Sequence, residues 1–461
     1  MYYMYEIDLA NRLVFGNIFV KKCDYFVLLN LHSFRRMSLN KYELETLLTC
    51  REKMNKGKQF NNREKELYDR LVAKKQIISD DLLSDFLEGK ELEHYGNLRQ
   101  IKQRISRVTI SPSFACNFNC AYCYQRDFQS KKDFLTPDAI DNVCETLKSI
   151  NNSDCYLDGI THVVINGGEP LQEPNVATIN HIIECFAKPG IDLSLMTNGY
   201  NILKFKDQID FSKFAAVQVS LDNIDPYASI INGVGHPVFE EVINSLSYLM
   251  ELECKVTIAT IMTKELLANL DEFVNRLTAV GVVENERCSI DISPVVSFGK
   301  STLNSSFYTI NEFIEAKRIL ASKRLPHNLR IANLPEARWI SRAINRNTNE
   351  RIYGKPSMCS IQRNRSIHFA PNGQVYWCLC VDPDKGSLGS FYPSLYINTE
   401  GIDRCIQKSV YSDEKCKTCP YKFLCSSGCP LHAVAATGDY SKPFCGFFFD
   451  PEFWRNLEEL L

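Results

Sequence analysis

The chain has 461 residues, a formal net charge of −2 and 45% hydrophobic residues. This length predicts two or three domains, and the near-neutral charge gives no electrostatic attraction to nucleic acid or to an anionic membrane. No apolar run reaches about 18 residues, and the N-terminus carries no secretory signal, so neither a membrane span nor export is predicted. We therefore expect a cytoplasmic protein whose 19 cysteines serve metal or redox chemistry rather than disulfides.

Residues 1–100 combine β-rich runs with short helical patterns. Arg12–Val20 and Tyr25–Leu31 are predicted to form a hairpin. Helical periodicity follows around Leu44, Leu67 and Leu82. Strands followed by three short helices indicate a small winged-helix-like module.

From residue 105 to residue 308, apolar strands alternate with helical segments. The strand candidates are Val108–Ser111, His162–Ile165, Asp192–Met196, Ala216–Leu221, Lys255–Ile261 and Ser289–Val295. Between them lie Pro137–Ile150, Asn175–Ala187, Phe239–Glu251 and Lys264–Val280 as predicted helices. Six units of this kind predict an α/β fold, a parallel sheet curled into a partial (β/α)6 TIM-like barrel. Ligands bind such a fold at the C-terminal ends of its strands.

The remainder of the chain divides into two regions. Residues 309–355 have a polar helical pattern and are predicted to form a helical bridge. Residues 356–461 are irregular and rich in Cys, Gly, Pro and aromatic residues. Because regular elements are sparse there, we expect the cysteines to provide the order through bound metal.

Three cysteines follow the first barrel strand with the spacing Cys-x3-Cys-x2-Cys, namely Cys116, Cys120 and Cys123. Ordinary buried thiols or part of a zinc site would be the simpler interpretation. A 4Fe–4S cluster with three protein thiolates keeps one iron open, and that iron can chelate the amino and carboxylate groups of S-adenosylmethionine (SAM). The spacing therefore predicts a cluster that reduces the sulfonium of SAM and releases a carbon radical.

A glycine-rich run, Gly167-Gly168-Glu169-Pro170, directly follows the second barrel strand. Glycines let a backbone approach a ligand closely, and a carboxylate at this point can pair with an ammonium group. A plain glycine turn before a helix is the alternative.

Together these motifs resemble the radical SAM superfamily. The resemblance implies that Tyr122 packs near the adenine of SAM and that Gly167, Gly168 and Glu169 hold its methionine amino end. It further implies that Asn198 and Ser220, at later strand ends, line the cofactor cleft. Relatives often carry an arginine after the fourth strand in an Ile-Arg-Gly-like context, whereas this chain has Ile231-Asn232-Gly233. The partner of the methionine carboxylate is therefore open.

Seven further cysteines occupy the C-terminal region. They are Cys359, Cys378, Cys416, Cys419, Cys425, Cys429 and Cys445, with Gly373 between the first two. A zinc ribbon is the simpler interpretation of the inner four. The full order resembles the SPASM domain, which carries two auxiliary 4Fe–4S clusters in radical peptide-modifying enzymes.

The SPASM resemblance implies two sets of cluster ligands. The first set is Cys416, Cys419, Cys425 and Cys445, and the second is Cys359, Cys378 and Cys429. The second set lacks one ligand. Cys380 and Cys405 are local candidates for it, or that iron stays open for a substrate thiolate or water.

The combined resemblance implies a radical SAM peptide maturase with three 4Fe–4S clusters and SAM as cofactors. A 5′-deoxyadenosyl radical would abstract hydrogen from a residue of a ribosomally made precursor peptide. An auxiliary cluster would then accept the second electron as a thioether or carbon–carbon crosslink forms. The expected partners are the precursor peptide and a reductase, flavodoxin or ferredoxin as electron donor. The N-terminal module would either receive the leader of the precursor as an added strand or cap the barrel.

Two other functions are weighed against this one. Sulfatase-type formylglycine maturases resemble the chain in both domains, but they usually carry Asp directly after the cysteine that corresponds to Cys378. Here that position is Leu379, which cannot accept a proton. A non-catalytic iron–sulfur redox sensor would need the clusters but not the Gly167–Glu169 motif. No catalytic residue is identified by the sequence.

Overall fold

The structure is a computed structural model. It describes residues 13–14, 17–22, 25–30, 35–74, 76–77, 105–120, 123, 125, 133–222, 238–294, 309–332, 334, 337–338, 340–341, 366–378, 387–398, 408–419, 421–430, 433, 437, 442–446 and 451–460. Several positions from the sequence analysis lie outside these described residues, namely Leu82, Tyr122, Ile231–Gly233, Cys359, Leu379, Cys380 and Cys405.

The N-terminal region forms a four-stranded antiparallel sheet in the order β1-β2-β3-β4. Its strands are β1 (Leu13–Val14), β2 (Asn17–Lys22), β3 (Tyr25–Asn30) and β4 (Arg36–Leu39). The helices Lys41–Asn55 and Asn62–Ala73 follow, and each begins with an Asn–Glu capping box. The predicted hairpin is present as β2 and β3, and the sheet extends by one strand on each side of it.

Both faces of the N-terminal sheet are buried. Phe19, Phe26 and Leu28 pack with the two helices of the module in one apolar cluster. The alternate residues Val20, Val27 and Leu29 face the other way and join the main core. The helix Leu457–Leu460 packs against β2. The sheet is therefore covered on one face by its own helices, while its other face belongs to the core shared with the rest of the chain.

Seven parallel strands form the partial barrel, the six that the sequence predicts and one more. They are β5 (Arg107–Ile110), β6 (His162–Ile165), β7 (Asp192–Thr197), β8 (Ala216–Ser220), β9 (Lys255–Met262), β10 (Cys288–Pro294) and β11 (Leu329–Ile331), paired in chain order. The connecting helices include Pro137–Asn151, Val176–Phe186 and Phe239–Glu251. The single helix predicted for 264–280 is two helices, Lys264–Ala268 and Leu270–Ala279. The α/β partial-barrel fold is thus confirmed.

The segment predicted as a helical bridge contains more than a helix. Its first part is the helix Ile310–Ala321, but β11 then returns to the barrel and pairs with β10. Three residues are too short a run to show strand periodicity, which is why the sequence pattern did not reveal β11.

The C-terminal region continues the barrel sheet at its opposite edge. β12 (Ser366–Phe369) lies parallel to β5. The strands β13 (Gln374–Tyr376), β14 (Gly389–Ser390) and β15 (Tyr396–Ile397) then extend the sheet in antiparallel fashion. The part of the chain expected to be irregular is therefore joined by backbone hydrogen bonds to the strand that leads into the Cys116 loop.

Short helices complete the C-terminal region, at Glu414–Lys417, Lys422–Cys425, Pro451–Arg455 and Leu457–Leu460. Lys317 of the bridge helix donates from Nζ to the carbonyl oxygens of Leu460 (2.7 Å) and Glu459 (3.1 Å). These bonds satisfy carbonyls at a helix end that have no partner within the helix. No helix among the described residues is both long and apolar enough to cross a membrane.

Trp454 joins the last helices to the cysteine-rich region. Its side chain is fully buried, and its ring lies 5.1 Å from that of Tyr421 and 5.4 Å from that of Phe453. Replacing a buried Trp by Ala removes this packing and leaves a cavity. Trp454→Ala should therefore lower the free energy of unfolding by about 3–5 kcal/mol.

Chemical denaturation of the full chain measures this loss. Tyr396→Ala is the matched control, since Tyr396 is 65% exposed and its truncation should change stability by no more than about 0.5 kcal/mol. Equal losses for the two variants would contradict the packing assigned to Trp454.

Candidate functional site

The glycine-rich loop after β6 packs directly on the segment that precedes Cys116. Gly168 N donates to the carbonyl oxygen of Ser113 (3.0 Å), and Glu169 N donates to that of Ala115 (2.9 Å). A Cβ atom on Gly168 would lie 2.2 Å from the carbonyl oxygens of both Phe114 and Ala115. One on Gly167 would lie 2.4 Å from that of Ser113. The structure thus gives both glycines a reason apart from ligand binding: the backbone of 113–115 crosses them too closely for a side chain.

The Glu169 carboxylate is a buried link between the ends of β6 and β7. Its Oε1 accepts hydrogen bonds from Thr197 Oγ1 (2.7 Å) and Leu171 N (2.8 Å), and its Oε2 accepts one from Asn198 N (2.7 Å). Burial raises the pKa of Glu169 to about 7, although the hydrogen bonds from Asn198, Thr197 and Leu171 act in the opposite direction. The Glu169 carboxylate accepts hydrogen bonds from three protein groups, so its first role is to hold neighbouring loops together.

Asn198 extends this link to the cysteine loop. Its Nδ2 donates to Asn117 Oδ1 (2.8 Å), and its Oδ1 accepts from Tyr200 N (3.1 Å). Its side chain also hydrogen-bonds to Cys116 and tends to lower the pKa of that thiol. The predicted cleft residue Asn198 therefore contacts the predicted cluster loop.

The thiols of the Cys116 loop are partly exposed beside this network. Phe118 N donates to Cys116 Sγ (3.3 Å), and Cys123 N donates to the carbonyl oxygen of Cys120 (3.1 Å). Burial, followed by the nearby Glu169 charge, raises the pKa of Cys116 to about 12, and Cys123 adds to this effect. Without a cation the Cys116 thiol stays protonated, whereas an iron–sulfur cluster would replace its proton. Soft donors crowded on one loop fit such a cluster.

Ser220, the remaining predicted strand-end residue, is the last residue of β8 and its side chain is exposed. Two positions further on, Asp222 Oδ1 accepts from Ile261 N (2.8 Å) and ties the end of β8 to β9. The described contacts do not connect Ser220 to the Glu169 network.

A buried polar network beneath the cysteine loop was missed by the sequence analysis. Ser111 Oγ lies 3.0 Å from Asn166 Oδ1 and 2.8 Å from Nε2 of His368. Burial lowers the pKa of His368 to about 4, so its imidazole is neutral at physiological pH. His368 belongs to β12, and only the pairing of β12 with β5 brings it to this position. No local sequence signal marks that pairing.

Four of the seven C-terminal cysteines converge. Burial raises the pKa of Cys425 to about 12, and the neighbouring thiols of Cys445, Cys416 and Cys419 add to this effect. Backbone groups of Tyr421 and Ser427 hydrogen-bond to Cys419 and Cys425, respectively, and favour the thiolate forms. These four residues are the first ligand set that the sequence analysis named.

A left-handed turn between Cys425 and Cys429 brings Cys445 to its neighbours. Ser426, Ser427 and Gly428 have φ angles of 53°, 65° and 71°. Phe444 N donates to the carbonyl oxygen of Ser427 (3.2 Å). A Cβ on Gly428 would lie only 1.8 Å from the carbonyl oxygen of Phe444. Glycine is thus required where the chain before Cys445 crosses the turn.

The second predicted set is described only in part. Cys378 and Cys429 are half-buried, whereas Cys359 lies outside the described residues. Cys378 directly follows the strand pair formed by β12 and β13, so it belongs to the part of the C-terminal region that is joined to the barrel.

Comparison with known proteins identifies the barrel. Residues 110–277 match the family model of the radical SAM superfamily, and the matched region contains the Cys116 loop and the Gly167–Glu169 motif. These residues therefore carry a radical SAM domain, as the sequence indicated. A domain of this kind implies a 4Fe–4S cluster and SAM as cofactors.

Curated relatives match less than half of the chain. The GTP 3′,8-cyclase of Campylobacter jejuni (strain RM1221) is 26% identical over 181 residues, which cover 39% of this chain and 53% of that protein. The GTP 3′,8-cyclase of Nitrobacter winogradskyi is 28% identical over 128 residues, 27% of this chain and 35% of that protein. The chain thus spans about half the length of the first of these relatives, and less of the second.

Solved structures share the fold over more of the chain. SuiB of Streptococcus suis bound to precursor peptide SuiA is 15% identical and covers 95% of this chain and 99% of its own, with a TM-score of 0.54. A structure of anSMEcpe with bound AdoMet is 16% identical and covers 77% of this chain and 94% of its own, with a TM-score of 0.51. At these identities the likeness shows a common fold.

Gly168→Ala tests the packing of the glycine-rich loop. The added methyl group would push residues 113–115, and with them Cys116, out of position. A displacement of about 1 Å in a reacting geometry costs about a hundredfold in rate. Release of 5′-deoxyadenosine by the reduced, iron-loaded enzyme should fall by that order.

Gly190→Ala is the matched control. Gly190 has a positive φ of 84°, but no atom lies within 4 Å of the added Cβ, and the residue lies on a turn. Its variant should keep SAM cleavage close to that of the wild type. Full activity in Gly168→Ala would contradict the role given to this contact.

Proposed function

We propose that this radical SAM enzyme modifies a ribosomally made precursor peptide, oxidatively forming a thioether or carbon–carbon crosslink. The observation that carries the proposal is the convergence of Cys416, Cys419, Cys425 and Cys445 in a region joined to the barrel through β12. An oxidative crosslink removes two electrons from the peptide, so the enzyme needs an electron acceptor close to the barrel. An auxiliary iron–sulfur cluster meets that need, since such clusters cover a wide range of potentials.

The fold likeness supports a peptide substrate. The SuiB structure that shares 95% of this chain's length contains a precursor peptide, and an anSMEcpe structure contains the Cp18Cys peptide.

The proposed domains are a winged-helix-like module at 1–100, the radical SAM core at 105–308, a bridge at 309–355 and a SPASM domain at 356–461. The inclusion of β11 in the barrel sheet favours moving the end of the core past Ile331.

Spacing of the C-terminal thiols favours a cluster over a single zinc ion. A tetrahedral zinc with sulfur bonds of about 2.3 Å holds its ligand atoms about 3.8 Å apart. The sulfur atoms of the four C-terminal cysteines do not all lie within 4.8 Å of one another. Among the described residues, the group that meets this limit is Asp141, His181 and Cys185. The four cysteines are nevertheless near one another, because burial raises the pKa of Cys425 and of Cys416 and the neighbouring thiols raise it further. Several irons spread thiolates farther apart than one ion does.

In this proposal the protein's own groups position the reaction. Cys116, Cys120 and Cys123 would hold a 4Fe–4S cluster, which when bound would supply the electron for the cleavage of SAM. The Phe118 N–H group and the Asn198 side chain hydrogen-bond to Cys116 and stabilise its thiolate form. Glu169 holds the ends of β6 and β7 in register with that loop. Gly167, Gly168, Glu169, Asn198, Ser220 and Tyr122 are proposed to line the SAM site.

The N-terminal module is proposed to receive the leader of the precursor. An added peptide strand pairs through backbone hydrogen bonds, so it would join this sheet at an edge strand, β1 or β4. The electron donor is proposed to be a reductase, flavodoxin or ferredoxin. The enzyme is proposed to work in the cytoplasm, where such donors are reduced.

A nucleotide cyclase is the second candidate, favoured by the partial match of this chain to GTP 3′,8-cyclases. Incubation with SAM, dithionite and either GTP or candidate precursor peptides from neighbouring reading frames distinguishes the two. The proposal expects a peptide that loses the mass of two hydrogen atoms, with GTP unchanged. Conversion of GTP with no change in any peptide would overturn it.

Cysteine variants separate the two kinds of cluster. Cys120→Ala should abolish 5′-deoxyadenosine formation, because a loop with two thiolates cannot hold the SAM-cleaving cluster. Cys445→Ala should retain part of this cleavage while crosslinked peptide is lost, because only the electron acceptor is damaged. Cys155→Ala, which removes an exposed thiol, should behave as the wild type.

Quantification of 5′-deoxyadenosine and of modified peptide by mass spectrometry measures both outcomes. Cleavage by Cys120→Ala at the wild-type rate would refute the assignment of the loop. Undiminished crosslinking by Cys445→Ala would refute the need for the auxiliary cluster.

A further inference from the structure

Apart from the cysteine sets described above, two barrel helices carry a group of side chains that could bind a metal ion. The proposed reaction does not use this group. Asp141 lies on the helix Pro137–Asn151, and His181 and Cys185 lie on the neighbouring helix Val176–Phe186. Nε2 of His181 is 2.8 Å from Asp141 Oδ1 and 3.8 Å from Cys185 Sγ. The three ligand atoms all lie within 4.8 Å of one another. We call these three residues the His181 cluster.

The orientation of the His181 ring is fixed from its other side. Nδ1 of His181 lies 3.3 Å from Glu184 Oε2. A carboxylate on one ring nitrogen of a histidine sets the tautomer, so that the other nitrogen is free to bind metal. Here the nitrogen so prepared is Nε2, which faces Asp141 and Cys185. His181 and Cys185 are four residues apart, so they share one face of their helix.

The electrostatics of the cluster suit a cation. The two ring nitrogens of His181 each lie near a carboxylate, Nε2 at 2.8 Å from that of Asp141 and Nδ1 at 3.3 Å from that of Glu184. Carboxylate, imidazole and thiol thus converge where positive charge is favoured, and Asp141 and Cys185 remain partly open to solvent or exposed.

We propose that Asp141, His181 and Cys185 bind a divalent zinc ion on the outside of the barrel, with water as the fourth ligand. Mixed sulfur, nitrogen and oxygen donors favour zinc over magnesium or calcium, which prefer oxygen alone. Zinc bonds of about 2.0 Å to oxygen and nitrogen separate those atoms by about 3.3 Å in a tetrahedron. The ion would therefore replace the Asp141–His181 hydrogen bond once the distance between Asp141 Oδ1 and His181 Nε2 widens slightly from 2.8 Å. It would then link the two helices.

Zinc binding to the reconstituted, iron-loaded full chain tests the proposal. Equilibrium dialysis against Zn2+, followed by elemental analysis, should find one zinc per chain more in the wild type than in Cys185→Ala or His181→Asn, at equal iron content. Glu184→Gln should weaken zinc binding by about 10–100-fold, since it loosens the outer support of the imidazole. Zinc should also raise the melting temperature of the wild type but not of Cys185→Ala.

His162→Asn and Cys155→Ala are matched controls. His162 is a half-buried histidine 4.0 Å from the Asp192 carboxylate, and Cys155 is an exposed cysteine. Both variants should retain the zinc. The proposal is overturned if Cys185→Ala or His181→Asn binds as much zinc as the controls. It is also overturned if zinc-edge absorption finds three or more sulfur ligands, since the ion would then occupy cluster cysteines.

Discussion

The carboxylate of Glu169 and the two glycines before it hold the catalytic end of the barrel in one arrangement. The glycines let the loop after β6 pack against residues 113–115 at backbone distance. The carboxylate then takes hydrogen bonds from Thr197 and Asn198 at the end of β7. Asn198 in turn reaches Asn117 within the cysteine loop. Three strand ends are thereby held around the place where the first cluster and SAM are expected, because a displacement of the buried Glu169 side chain would break the three hydrogen bonds that it accepts.

The second organising feature is the shared sheet. Because β12 pairs with β5, the chain that carries Cys378 is anchored to the strand that carries the Cys116 loop. His368 reinforces the junction through Ser111, whose other contact is Asn166 at the end of β6. In an enzyme proposed to pass an electron from a bound peptide to an auxiliary cluster, a rigid junction keeps donor and acceptor at a fixed separation. Flexible linkage of two independent domains would not do so.

Much of the barrel could be predicted from sequence because its strands show one of two recognisable patterns. They are short apolar runs, as in β6, or they alternate buried with partly exposed residues, as in β9 and β10. The Cys-x3-Cys-x2-Cys spacing predicted a cluster loop at Cys116, Cys120 and Cys123 because these three thiols lie close along the chain. What could not be predicted depends on distant pairing. Ser111 and His368 are 257 residues apart, and β11, with three residues, is too short to show periodicity. The hydrogen-bonding role of Glu169 was also hidden, because its partner Asn198 lies on another loop.

We propose that a cluster held by the Cys116 loop has one open iron and that this iron binds SAM directly. Electron–nuclear double resonance of the reduced enzyme with SAM labelled by 15N at the amino group or 17O at the carboxylate tests it most directly. The account predicts hyperfine coupling from both labels to the cluster, and loss of that coupling in Cys120→Ala. A fully iron-loaded and reduced enzyme that binds labelled SAM without any coupling would contradict it.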